Sequence, residues 1–162
     1  MGNRDDLDAD VAAHPFLLGL NEHHVRLLAD CAVRVAFDGD HVVFRQGETA
    51  NRFYLIERGE IVLESITAGG ETITIDTIGE GDLLGWSWLF SPYVWRFTAR
   101  TTTKTTALFF YGTVLREYCE QDHTLGYELL KRMSEVMTRR LQRARGKFLE
   151  AHLPGSKSEA PL

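Results

Sequence analysis

Glycines at 39, 47, 59, 70 and 81 punctuate the middle of the chain at intervals of about ten residues, and this spacing limits what it can fold into. Between them lie short runs rich in β-branched and aromatic residues: Val33–Phe37, His41–Phe44, Phe53–Ile56, Ile61–Leu63 and Thr72–Ile78. Each glycine falls where the chain must reverse, and reversal often requires the positive φ that only glycine adopts freely. Ala68-Gly69-Gly70-Glu71 reads as a hairpin turn ahead of the alternating run Thr72–Ile78. A Thr-rich pair from Ala99 to Tyr111, poor in helix propensity, closes the series. Strands this short and evenly spaced predict a β-sandwich or roll spanning residues 32–112.

The flanks have a different period. Residues 1–13 are polar and Asp-rich and read as a flexible N-terminus. Phe16, Leu17, Leu20, Val25, Leu27, Leu28 and Cys31 predict short helices over 14–31, with Asn21 as an N-cap. Helices are expected again over 113–150, the first capped by Thr113 and the longer one by Asp122 or Thr124. In that last helix Leu130, Met133, Met137, Leu141, Ala144 and Phe148 follow three- and four-residue steps, widened by Leu129 and Val136. The stripe is longer than one face of a small roll can cover, so a homodimer through this helix is expected. The same helix carries Lys131, Arg132, Arg139, Arg140, Arg143, Arg145 and Lys147, which read either as a solvated face or as a dock for an acidic, unidentified protein partner. Residues 151–162 read as a flexible tail.

The order of parts, and four motifs within it, resemble the regulatory domain of the catabolite-activator/FNR (Crp/Fnr) family and related kinase and channel domains. The motifs are Phe44-x-Gln46-Gly47-Glu48, Phe53-Tyr54-Leu55-Ile56-x-x-Gly59, Gly81-Asp82-x-x-Gly85 and Arg139-Arg140-Leu141-Gln142. The likeness covers residues 14–150 and implies a mainly β fold, a double-stranded β-helix or jelly roll with N-terminal helices and a long C-terminal helix. It also implies a phosphate-binding cassette, aligned here with Gly85–Ala99. In the family a short helix after the Gly directs its N–H groups at a cyclic phosphate, an Arg eleven residues on neutralises it, and a Glu accepts the ribose hydroxyl.

The cassette keeps some of these groups and alters others. Gly85 and Arg96 stand at the Gly and Arg positions, and Ser87 offers a hydroxyl or a helix cap. Trp86 replaces the Glu, and indole has a donor but no acceptor. Loss of that charge-assisted bond costs about 1.5–3 kcal/mol, or one to two decades of affinity. Phe97, beside Thr98, replaces a small residue, and Ala144 and Arg145 replace the hydroxyl pair that contacts the purine. Ordinary cyclic AMP binding is therefore not expected. Trp86, Trp88, Phe90, Tyr93, Trp95 and Phe97 either plug a vestigial pocket or line one for a cyclic nucleotide or another small anionic ligand held by Gly85, Trp86, Ser87, Arg96, Phe97 and Thr98.

Other classes lack their signatures. No His-x-His pair, nucleophile–base pattern or Walker loop occurs, so neither a metal site nor catalysis is expected. The two cysteines, Cys31 and Cys119, match no metal spacing and read as reduced thiols. The chain ends about a dozen residues after the long helix, so no helix-turn-helix and no direct DNA binding are expected. Net charge is −5, which gives no general attraction to nucleic acid or anionic lipid, and no membrane span or leader is visible. The reading is a cytoplasmic regulatory or sensor module, with a ligand-free dimeric adaptor as the alternative.

Overall fold

The computed structural model describes residues 4–153. In chain order the elements are α1 (Arg4–Ala13), α2 (Glu22–Cys31), β1 (Val33–Phe37), β2 (Val42–Phe44), β3 (Arg52–Arg58), β4 (Glu60–Ile66), β5 (Thr72–Gly79), β6 (Leu83–Leu84), a 3-10 turn at Ser87–Leu89, β7 (Thr98–Thr101), β8 (Thr105–Tyr111), α3 (Gly112–Gln121) and α4 (His123–His152). The strands form two antiparallel four-stranded sheets, ordered β1-β8-β3-β6 and β2-β7-β4-β5. This is a roll, as the glycine spacing predicts, and the jelly roll that the resemblance implies.

Two cores meet at the first sheet. Phe44, Tyr54, Ile56, Ile61, Leu63, Trp95 and Ala99 fill the space between the sheets. Phe53, Leu55, Trp88, Leu108 and Phe110 pack on its other side against Leu28, Leu115, Leu125, Leu129 and Met133 of the helices. Successive residues of β3 therefore serve opposite cores, which explains why Phe53–Ile56 is continuously apolar rather than alternating. Gly59, at φ +104°, leaves β3 at a point where a Cβ would lie 2.4 Å from Thr105 Oγ1 and 2.7 Å from the Lys104 carbonyl. Only glycine fits that corner.

The N-terminal region differs from the sequence reading. Arg4–Ala13, expected to be loose, is helical, with Val11 fully buried and Leu7 packed on the helical core. Arg4 pairs with Asp30 at 2.7 Å, and Arg34 bonds both Asp10 and Glu57. One buried side chain and external ion pairs leave no apolar stripe to be read. Residues 14–20, expected to be helical, are turns ending at Gly19, whose φ of +85° a helix cannot accommodate. Asn21 caps α2 by accepting from His24 N–H at 2.8 Å. Tyr111, not Thr113, precedes α3, and no side chain caps it. Asp122 caps α4 by accepting from the N–H groups of Thr124 and Leu125, and its other oxygen meets His24 Nε2 at 2.8 Å. The tail expected over 151–162 lies outside the described residues from 154 onward.

Helix α4 presents two faces. Leu125, Leu129, Met133 and Val136 are buried against the chain's own roll and helices. Met133, fully buried, therefore does not belong to the outward stripe, and neither do Leu129 and Val136. The outward face carries Tyr127, Leu130, Leu141 and Phe148 as exposed hydrophobics, with Met137 half-buried and Ala144 exposed. With Ser134, positions 127, 130, 134, 137, 141, 144 and 148 alternate steps of three and four, the spacing of a coiled-coil seam.

Candidate functional site

Gly85 ends β6 at φ +95°, and the 3-10 turn Ser87–Leu89 follows it. A Cβ at Gly85 would stand 2.8 and 2.9 Å from the ring carbons of Trp95. That indole is buried in the inter-sheet core, stacked on Phe44 with centroids 3.8 Å apart and planes 10° from parallel. Backbone bonds fix it there: Gly47 N–H donates to the Trp95 carbonyl at 2.8 Å, and Trp95 N–H to the Glu48 carbonyl at 2.9 Å. The guanidinium of Arg52 lies 5.9 Å from its ring. Trp88 goes to the other core, stacked on Phe53 at 5.3 Å. Two of the cassette's three tryptophans are thus structural packing.

Around Trp95, which is buried, Ala99 is buried and Phe97 half-buried, while Arg96, in the bend that precedes β7, is exposed. Among the described residues, none ion-pairs or hydrogen-bonds with its side chain. Thr98 Oγ1 accepts from Gln46 N–H at 3.0 Å, which ties the strand to the loop after β2. Ser87 is buried in the turn, while Phe90 is exposed and Tyr93 lies beneath Arg116 at 4.6 Å. Of the predicted site residues, Gly85, Trp86, Ser87 and Phe97 stay close to the turn or the cleft beside it, and Arg96 does not join them.

The cleft itself, about 180 Å³, lies between the second sheet and α4. Leu63, Ile75, Trp86 and Phe97 form its apolar walls, and Asp76, Arg140, Arg143, Ala144 and Lys147 complete the lining. Arg140 lies over the Trp86 ring at 4.9 Å and donates through Nη2 to the Leu83 carbonyl, while its Nη1 is buried with no hydrogen-bond partner. Burial depresses its pKa to about 10, against the opposing pull of Asp82 and Asp76, so it stays charged at neutral pH. Arg143 pairs with Asp76 at 2.9 Å, and Lys147 Nζ lies 3.4 Å from the Ile75 carbonyl. In the sequence, Arg143 and Lys147 stand out only as part of a basic run, and Arg140 also within the Arg139–Gln142 motif. Their spacing, 140, 143 and 147, does place them on one helical face.

The cleft is smaller than the roughly 300–1,000 Å³ of pockets that take drug-sized ligands. Trp86 offers no acceptor to a ribose, and the cassette arginine is outside.

The sequence profile described as cyclic nucleotide-binding domain matches residues 34–122. The chain belongs to that family. It is 30% identical over 90 residues to a cAMP-dependent protein kinase regulatory subunit of Schizosaccharomyces pombe, covering 56% of this chain and 21% of that protein. It is 25% identical over 137 residues to the CRP-like cAMP-activated global transcriptional regulator of Mycobacterium tuberculosis, covering 85% of this chain and 59% of that protein. The chain thus spans less than two thirds of either relative. The fold is similar to a cyclic nucleotide-binding domain from Methylobacillus flagellatus KT, with a TM-score of 0.80 at 18% identity over 99% of this chain and 90% of that one. Both sequence relatives are regulators by name.

Neither cysteine carries the signs of a reactive site. Cys31 and Cys119 are free, and burial pushes both thiols up, Cys31 to about 11. No helix among the described residues is long and apolar enough to cross a membrane. No group of three or more His, Cys, Asp or Glu among them could hold a metal ion.

Proposed function

We propose that this chain is a regulatory module of the cyclic nucleotide-binding domain family whose cassette is degenerate, so that cyclic AMP is not its ordinary ligand. The observation that carries the reading is Trp86: an indole stands where the family has a carboxylate, with a guanidinium over its face. The exposure of Arg96 and the small volume beside Phe97 support the same reading. The module acts as a homodimer through the seam of Leu130, Met137, Leu141, Ala144 and Phe148, whose three-four spacing and exposure suit a second copy of α4. Occupancy of the cleft shifts the C-terminal part of α4, and a protein partner reads that shift. A second reading, a ligand-free dimeric adaptor, draws on Trp95, which already fills the space at Gly85.

Calorimetry with cyclic AMP and cyclic GMP tests the reading. No saturable heat is expected at micromolar concentrations. Micromolar binding that disappears in Arg96→Ala would overturn it, because the cassette would then still grip a phosphate.

A further inference from the structure

The cleft beneath α4 combines an apolar interior with a basic rim. Leu63, Ile75, Trp86 and Phe97 give water little to bond, so an apolar body displaces it readily. At the rim, Arg140, Arg143 and Lys147 face one carboxylate, Asp76, and Arg143 already occupies that group at 2.9 Å. Arg140 is the most telling. Its Nη2 and its flat face are engaged by the Leu83 carbonyl and the Trp86 ring, while Nη1 is sealed without an acceptor. A buried charged donor with no partner is rare in native proteins, and an acceptor is the group it lacks.

We propose that the cleft binds a small anion with a flat or aliphatic apolar body, such as an aryl carboxylate, its charge held by Arg140, Arg143 and Lys147 of α4. The proposal rests on the degenerate-cassette reading above and moves the anion-binding role from the loop to the helix. The volume of about 180 Å³ suits a fragment rather than a nucleotide. Because Arg140, Arg143 and Lys147 share one helical face, a single carboxylate at the rim reaches more than one of them.

The test titrates the full chain with 2-naphthoate, followed by calorimetry and tryptophan fluorescence, with cyclic AMP and the neutral 2-naphthalenemethanol in parallel. Saturable naphthoate binding with Kd on the order of 100 µM is expected for a ligand of this size. The alcohol should bind at least about tenfold more weakly. The double variant Arg143→Gln/Lys147→Gln, at two exposed positions, should weaken naphthoate about tenfold, and Arg96→Gln should leave it unchanged. Equal binding of acid and alcohol, or indifference to the helix pair, would overturn the proposal. So would silence of naphthoate with cyclic AMP also silent, an outcome that leaves the degenerate-cassette reading standing. Saturable cyclic AMP binding lost in Arg96→Gln would instead overturn that underlying reading, and this proposal with it.

Discussion

Gly85→Ala measures how firmly Trp95 fills the cassette turn. Two penalties apply. The backbone sits at φ +95°, where an L side chain costs about 1–3 kcal/mol. The new methyl would also lie 2.8 and 2.9 Å from Trp95 ring carbons. That ring cannot retreat, because Phe44 is stacked on it at 3.8 Å and the backbone on either side is bonded to the loop after β2. Overpacking of this kind costs a further ~1–3 kcal/mol. The sum, about 2–6 kcal/mol, corresponds to a melting midpoint roughly 5–20 °C lower in a domain of this size. Urea and thermal unfolding of the wild type, Gly85→Ala, Trp95→Phe and the double variant form a cycle. The smaller ring should recover the steric part, a coupling of about 1–3 kcal/mol, and leave the backbone part untouched. If Gly85→Ala unfolds within about 0.5 kcal/mol of wild type, the turn is not plugged and the packing argument fails.

The two faces of α4 should respond differently to substitution. Met133→Ala should cost about 2–5 kcal/mol in urea unfolding, because it opens a cavity in the chain's own core. Leu141→Arg, at a site 70% exposed, should leave stability within about 0.5 kcal/mol yet convert a sedimenting dimer to monomer; a dimer that survives it rejects the seam. His14 is buried, its Nε2–H donating to the Ile56 carbonyl at 3.0 Å and its Nδ1 accepting from Phe16 N–H at 3.2 Å, so both nitrogens are satisfied in the neutral ring. Burial lowers its folded pKa below 6.5, so the unfolded chain binds the proton first. Its contribution is complete above pH 6.5 and is lost as pH falls through the folded value. Stability measured against pH should therefore decline below 6.5 more steeply in the wild type than in His14→Gln, and parallel curves would refute the assignment.

The roll was legible because its signals are local. Glycine spacing, alternation and the Ala68–Glu71 turn are short-range features, and the eight strands follow from them. What the chain buries with few residues was not legible. The run Asp5-Asp6-Leu7-Asp8 reads as loose, yet a helix forms there because Val11 is buried in the core, Leu7 packs against it and ion pairs supply the rest. Phe16 and Leu17 are buried as expected of apolar residues, but from turns, since Gly19 prevents a helix. In the cassette, motif spacing located Gly85 and Arg96 without giving the direction of the Arg96 side chain. Arg96 and Phe97 form a bend ahead of β7, where no alternation rule gives a side chain its direction. The stripe on α4 was visible, but a wide stripe on a thirty-residue helix contains two faces, and only packing assigns Met133 to one and Leu141 to the other. A guanidinium over an indole, as at Arg140 and Trp86, joins residues far apart in sequence that no local pattern links.

Any coupling between the cleft and a second copy has to pass through the later turns of α4. The first half of the helix is fixed by Leu125, Leu129, Met133 and Val136 and by Asp122, which bonds its first turn and His24 together. Past Val136 no described residue of α4 is buried as a whole, and only the Arg140 guanidinium is lodged against Leu83 and Trp86. Beyond Arg140 it meets β5 through the Arg143–Asp76 pair and the Lys147 contact to the Ile75 carbonyl. Partly exposed links of this kind contribute about 0–1 kcal/mol each, so the second half is held to the roll by little. A ligand needs only about 1.4 kcal/mol of differential affinity to change the ratio of two such positions tenfold. Ala144 lines the cleft and also stands in the seam between Leu141 and Phe148, so a ligand and a partner helix act on the same turn. Linkage then makes the effect reciprocal: whatever factor an anion adds to dimer affinity, the dimer must add to anion affinity.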